Sequence, residues 1–304
     1  MGQSACNGNS EGCGSSCVRD TKRPEEYMPN LQVGEVVEKA SPSRADGCES
    51  YLARDLPELH EMKFNKMVLN GDVSFEFRTG SKYKGQWKDN ARHGFGMQVW
   101  PDGAKFTGNW VNNLAEGPGQ FLHSDGDVFI GQWKRNAAEG LGQYFHANRR
   151  ITISGEWVED MQHGYGVELW EGGARYEGQF HFGQKHGLGV YHWPDGSSYS
   201  GQWSKNAICG SGHYLGQDGR EFKGMWKDAI IHGCGEYKWP DGRSFRGQYH
   251  CDQKDGFGIF HWSDGKSFQG FWKGGKQHGQ GAIYAADGDV LKEGYWRNGQ
   301  APGA

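Results

Sequence analysis

One glycine recurs along this chain at almost constant distance. It stands at Gly85, Gly108, Gly131, Gly155, Gly178, Gly201, Gly224, Gly247, Gly270 and Gly294, in steps of 23 or 24 residues. A second marker keeps phase with it. G-x-G pairs begin nine residues later, at Gly94, Gly117, Gly140, Gly164, Gly187, Gly210, Gly233, Gly256 and Gly279. Two markers locked in phase define a tandem repeat, and a tandem repeat decides the architecture before any single residue does.

Each unit contains two strand-like pieces. The string "KYKGQWK" around Gly85 alternates polar with aromatic or glycine positions, the period-two signature of a strand. "GMQVW" is the second piece, and "PDG" after it is a turn signal that returns in "WPDG" at Trp193 and Trp239 and "WSDG" at Trp262. Gly96–Trp100, a turn at Asp102–Gly103 and Lys105–Val111 therefore predict a β-hairpin. Short glycine-rich loops are expected to lead to the next hairpin. The expected fold is all-β: an elongated single-layer antiparallel meander, roughly 90 Å long at about 4.8 Å per strand. In "YKGQW", Tyr83, Gly85 and Trp87 share one face and leave a notch between two rings, which a large side chain from a neighbouring strand is expected to cover.

Composition agrees with a thin repeated structure. Glycine makes up 51 of 304 residues, about one in six against a usual level of roughly 7%. Thirteen tryptophans stand beside only 35% hydrophobic residues, too few for a thick aliphatic core. The net charge of −4 arises in the first 65 residues, with 7 basic and 11 acidic groups, whereas residues 66–304 hold 26 of each. No basic stripe supports nucleic-acid binding. Seven cysteines, four of them Cys6, Cys13, Cys17 and Cys48, show no CxxC spacing, so neither a zinc site nor a fully paired disulfide framework is expected. With no secretory or membrane-spanning run, the chain is expected to be intracellular.

The pattern Y-x-G-x-W, then H-G-x-G, then D-G resembles the MORN (membrane occupation and recognition nexus) repeat. "YKGQWKDNARHGFGMQVWPDG" from Tyr83 and "YEGQFHFGQKHGLGVYHWPDG" from Tyr176 are its cleanest copies, and about nine to ten units cover residues 81–299. Departures are Ile153 for the leading aromatic, "NRR" at Asn148, Glu116 and Glu139 where other units have His, and a cap-like last unit at "VLKEGYW". The resemblance implies a non-catalytic interaction module that needs no cofactor or metal. Its aromatic residues, Tyr83, Trp87, Phe106, Trp110, Phe129, Trp133, Tyr176, Phe180, Tyr199, Trp203, Phe222, Trp226, Phe245, Tyr249, Phe268 and Trp272, are expected to be structural or to bind an extended or helical partner segment.

Residues 1–52 read as a disordered, lipid-bearing tail. "MGQSAC" resembles an N-myristoylation signal with Gly2 as acceptor, and one such chain anchors only marginally. Cys6, Cys13 and Cys17 are the candidate palmitoylation sites. Residues 53–80 are expected to form a short helix, Ala53–Phe64 with Asp55 near its cap, and a leading strand, Val73–Phe77, paired with Tyr83–Trp87 through "RTGS"; residues 300–304 form a C-terminal tail. Two further patterns are weighed and set aside. "GFWKGGK" at Gly270 has the front of a P-loop but Gln277 in place of its Ser or Thr. His93, His163, His186, His232 and His278 stand at matching positions, and equivalents in neighbouring units are about 9.6 Å apart, too far to share a metal; they are expected to satisfy loop backbone groups. The leading functional expectation is a membrane-associated scaffold or adaptor that binds protein. Alternatives are a component of a ciliary, axonemal or cytoskeletal complex, and a phosphoinositide-binding or lipid-kinase regulatory module. Strand edges at both ends permit a homodimer.

Overall fold

The computed structural model describes residues 50–62, 68–148 and 150–303. A 3-10 turn (Tyr51–Ala53) and the helix α1 (Leu56–Met62) precede twenty strands. The first, β1, is Gly71–Glu76. Even-numbered strands from β2 carry the Y-x-G-x-W string: β2 (Lys82–Lys88), β4 (Lys105–Val111), β6 (Val128–Lys134), β8 (Ile151–Val158), β10 (Arg175–His181), β12 (Ser198–Ser204), β14 (Glu221–Lys227), β16 (Ser244–His250), β18 (Ser267–Lys273) and β20 (Val290–Trp296). Odd-numbered strands carry G-x-G: β3 (Ala91–Val99), β5 (Leu114–Leu122), β7 (Ala137–His146), β9 (Met161–Trp170), β11 (Gln184–His192), β13 (Ala207–Leu215), β15 (Ile230–Lys238), β17 (Gln253–His261) and β19 (Lys276–Tyr284). Each strand pairs antiparallel with the next in sequence, giving a single open meander. The leading strand pairs as expected, Val73 with Gly85 and Phe75 with Tyr83.

The register aligns glycine with glycine across the sheet. Gly85 faces Gly96, Gly96 faces Gly108, and the same pairing runs unbroken to Gly281 and Gly294. This spine exists because rings lie on it. A Cβ at Gly96 would sit 2.2 Å from the Tyr83 hydroxyl, and one at Gly142 would sit 2.4 Å from Phe129 Cζ. Over eight of the ten even-strand glycines the ring comes from two residues earlier in the same strand and extends across to the glycine of the next, not from a neighbouring strand alone; Gly155, which follows Ile153, and Gly294, which follows Lys292, are the exceptions. The spine ends on larger groups: Val73 faces Gly85, and Pro302 Cγ lies 2.8 Å from where a Gly294 Cβ would be.

Of the two expected connections, one is present and the other is not. The D-G turn is present as a three-residue loop: Gly103 takes φ +92° and its N–H donates to Trp100 O, while Asp102 Oδ1 accepts from Ala104 N–H. The other connection is not a glycine-rich loop. It is a two-residue turn such as Asp89–Asn90, both at positive φ as a tight hairpin requires. The G-x-G pairs lie inside strands. Their first glycine is needed because the odd strand bulges just before its spine glycine: His93, Gly94 and Phe95 stand opposite the single residue Gln86, between the Gly85–Gly96 and Trp87–Arg92 pairs. Gln86 folds over Gly94, where a Cβ would meet its Oε1 at 1.9 Å, and that oxygen accepts from the Phe95 N–H at 3.0 Å.

Neighbouring hairpins are stapled through the second turn residue. Asn113 Oδ1 accepts from Arg92 N–H, Asn136 Oδ1 from Ala115 N–H, Asp160 Oδ1 from Ala138 N–H and Asp252 Oδ1 from Ile231 N–H, at 2.7–2.8 Å. At the start of the array, Tyr51, Leu52 and Leu59 pack on the inward face, with Tyr51 against Trp100 and Phe121. Leu56 also packs there, whereas Phe64 lies outside the described residues. The Asp55 carboxylate is buried and accepts from Thr79 and Ser81 hydroxyls and from Gln98 Nε2, so it ties the helix to the sheet. Arg92, also buried, completes this network through Gln98 Oε1 and Asn113 O. Burial lowers its pKa to about 10.

Candidate docking surface

The sixteen aromatic residues singled out in the sequence are all at most 8% exposed. They form a ladder of edge-to-face contacts on the inward face. Each leading ring touches the second aromatic of its own unit and that of the next: Tyr83 meets Trp87 at 5.1 Å and Trp110 at 5.7 Å, and Phe106 meets Trp110 and Trp133, each at 5.1 Å. Such pairs contribute roughly 0.5–1.5 kcal/mol each beyond their buried area. Among the tryptophans of the ladder every indole N–H but that of Trp226 is used as well. Trp110 donates to Gly96 O, Trp133 to Gly119 O and Trp203 to Gly189 O. Burial raises the hydroxyl pKa values of Tyr83, Tyr176 and Tyr199. These side chains are occupied in holding the sheet together.

The outward face carries the apolar groups that remain exposed. The residue between the two glycines of G-x-G points outward, and it is Phe95, Leu141, Tyr165, Leu188 or Phe257 in five units. Leu141 is 69% exposed and Leu188 63%. Even strands add Phe271 and Tyr295 to the same row, Phe271 at 5.7 Å from Phe257. Between β14 and β17 the row borders a cavity of about 810 Å³ lined by Lys223, Cys234, Glu236, Arg246, Gln248, Phe257 and Ile259. Cys234 is a free, exposed thiol there. Isolated exposed apolar residues are ordinary, but a row repeated from hairpin to hairpin is a candidate interaction surface. The members of this row differ chemically from unit to unit, and only their shared place inside G-x-G marks them in the sequence.

The histidines lie in strands, not loops. His278 Nδ1 accepts from the Asn298 N–H, whereas His93 and His163 have a buried Nδ1 without a partner among the described residues. The close imidazoles are cross-strand neighbours rather than unit equivalents: His232 and His250 are 5.0 Å apart, and His163 and His181 5.2 Å. Burial, then the nearby His250 and Lys227, lower the His232 pKa. His232, His250 and Cys251 bring ligand atoms within 4.8 Å of one another, one group short of a closed tetrahedral site, and Cys251 has a further interaction of its own. The P-loop-like string runs from β18 through a turn into β19, so no helix N-terminus faces it. Gly2, Cys6, Cys13 and Cys17 lie outside the described residues. No helix among the described residues is long and apolar enough to cross a membrane.

A family model for the MORN repeat matches residues 83–105, 106–128, 129–148, 154–175, 176–198, 199–219, 222–242, 245–267 and 268–290. No curated protein matches the chain. Among solved structures, the TCP10 domain of Danio rerio CPAP in complex with a STIL peptide is similar at 12% identity and a TM-score of 0.36, over 74% of this chain and 99% of that one. The TCP10c domain of Drosophila melanogaster Sas-4 is similar at 13% identity and a TM-score of 0.30, over 57% of this chain and 96% of that one. At such scores neither likeness bears on what this chain binds.

Proposed function

Because the chain belongs to the MORN-repeat family, its repeats matching well over half of its length, we propose that it is a non-enzymatic, membrane-associated scaffold that docks protein partners on the outward face of its sheet. The exposed apolar row from Phe95 to Tyr295 carries this reading. The inward ladder rings are spent on one another, so the large exposed apolar side chains lie mainly outward. Membrane association is assigned to the N-terminus, with a lipid on Gly2 and a second on Cys6, Cys13 or Cys17, because one acyl chain alone anchors weakly.

Two substitutions test the two halves separately. Leu188→Glu with Phe257→Glu is expected to abolish co-purification of the cellular partner while leaving thermal unfolding unchanged, since both side chains are exposed. Gly2→Ala is expected to move the protein from the membrane to the soluble fraction. Equal solubility of Gly2→Ala and wild type would remove the tether from the proposal, and partner capture by the double Glu variant would remove the docking face.

A further inference from the structure

We propose that the outward row receives a polyproline-II segment of a partner protein, laid across the strands with its backbone carbonyls on the bulge glutamines. This rests on the outward face being a docking surface.

Four glutamines are held alike. Gln86, Gln179, Gln202 and Gln248 stand on the even strand opposite the bulge of the odd strand, and each Oε1 accepts a backbone N–H from that bulge: from Phe95 at 3.0 Å, Leu188 at 2.8 Å, Ser211 at 2.8 Å and Phe257 at 2.9 Å. A backbone N–H only donates, so the oxygen must face it and the carboxamide orientation is fixed. The two Nε2 hydrogens of each group are left for another acceptor, and all four side chains are exposed. Registration places them in one line with the apolar residues. Tyr165 faces Gln179, Leu188 faces Gln202, Cys234 faces Gln248 and Phe257 faces Phe271. From Tyr165 to Gln202 the row alternates apolar contacts with oriented donors, and Gln248 adds a further donor two units on, past Met225.

The pitch selects the ligand. Equivalent positions are two strands, about 9.6 Å, apart. An α-helix returns to the same face after seven residues, about 10.5 Å. An extended strand does so at about 6.6 or 13 Å. A polyproline-II helix does so after three residues, about 9.3 Å. Over four units the helix drifts out of step by about 3.6 Å, whereas polyproline II drifts by about 1.2 Å. Electrostatic complementarity points the same way. Polyproline II has no internal hydrogen bonds, so its carbonyl dipoles are open to a fixed row of N–H donors, while proline rings suit Leu188, Phe257 and Phe271.

The structure also supplies a clean variant. Glu156 occupies the glutamine position of its own unit, so a carboxylate is compatible with the bulge there. Gln179→Glu with Gln202→Glu keeps an acceptor for the backbone N–H and removes the outward donors. The experiment titrates full-length protein into fluorescein-labelled decaproline, followed by anisotropy, with a labelled Glu-Ala-Ala-Ala-Lys repeat peptide of equal length as the helical comparison. Saturable decaproline binding is expected, about tenfold or more weaker in the double variant, whose melting temperature matches wild type. Absence of saturable decaproline binding overturns the inference, as do equal affinity for the helical peptide and an unchanged affinity in the double variant. Partner loss in the Leu188→Glu, Phe257→Glu protein without decaproline binding to wild type would leave the docking face standing and remove this ligand class.

Discussion

At a single glycine the fold is already decided. Gly96 has an ordinary extended backbone, so it is kept not for its conformational freedom but for the 2.2 Å between its missing Cβ and the Tyr83 hydroxyl. Gly96→Ala is expected to cost about 2–4 kcal/mol in urea unfolding, and most of that cost should vanish in a Tyr83→Ala background, since the clash needs both partners. Additive single and double variants would rule out the ring as the cause. The notch between two aromatics is readable from "YKGQW"; the ring that fills it is not, because period-two alternation places side chains on faces without saying how far they lean along the strand. His232 gives a pH-dependent counterpart. Its pKa is lowered from 6.5 in the fold, so the unfolded chain takes up the proton more readily, and stability should decline as pH falls through about 6.5. His232→Gln should lose less stability than the parent between about pH 7 and pH 5.5, measured by urea unfolding.

Between hairpins, the second turn residue does two jobs, taking a left-handed conformation and reaching back to the preceding unit. Asn136→Ala removes the acceptor for Ala115 N–H and places Cβ-bearing alanine at φ +70°, for an expected loss of about 2–3 kcal/mol. Asn136→Asp should cost far less, because Asp160 and Asp252 make the same bond in their own units. Thermal unfolding of the two variants checks this, and equal losses would contradict the staple. This level was only half visible in the sequence. Alternation and the D-G turns identify the strands and one connection. H-G-x-G reads as a loop because positive-φ glycines mark turns far more often than strands, yet here they accommodate a folded-over glutamine. One clue was present: the single proline at the x position, Pro118, has no N–H to offer, and its unit carries the shorter Asn109 in place of glutamine.

Along the array the ring ladder is interrupted once. Ile153 replaces the leading aromatic in β8, so no ring joins Trp157 to Phe180, and the contacts divide into a run ending at Trp157 and one beginning at Tyr176. Linear arrays are held by nearest-neighbour terms, so the weakest junction should set where cooperative unfolding divides. Native-state hydrogen exchange is expected to show two blocks meeting near β8 and β9, and one uniform opening free energy across the sheet would contradict it. The glycine spine bears on the same question differently. Every unit offers its neighbours an identical crossing point, so the spine fixes the phase of a strand within its unit and is blind to which unit comes next. Sequence order is then kept only by the short covalent turns. Excising the 23 residues 184–206 joins the turn before β11 directly to β13, and the glycines on either side meet without adjustment. Such a protein should fold, one period shorter, with its remaining letters still in alignment: a text from which a whole word can be struck without garbling the next.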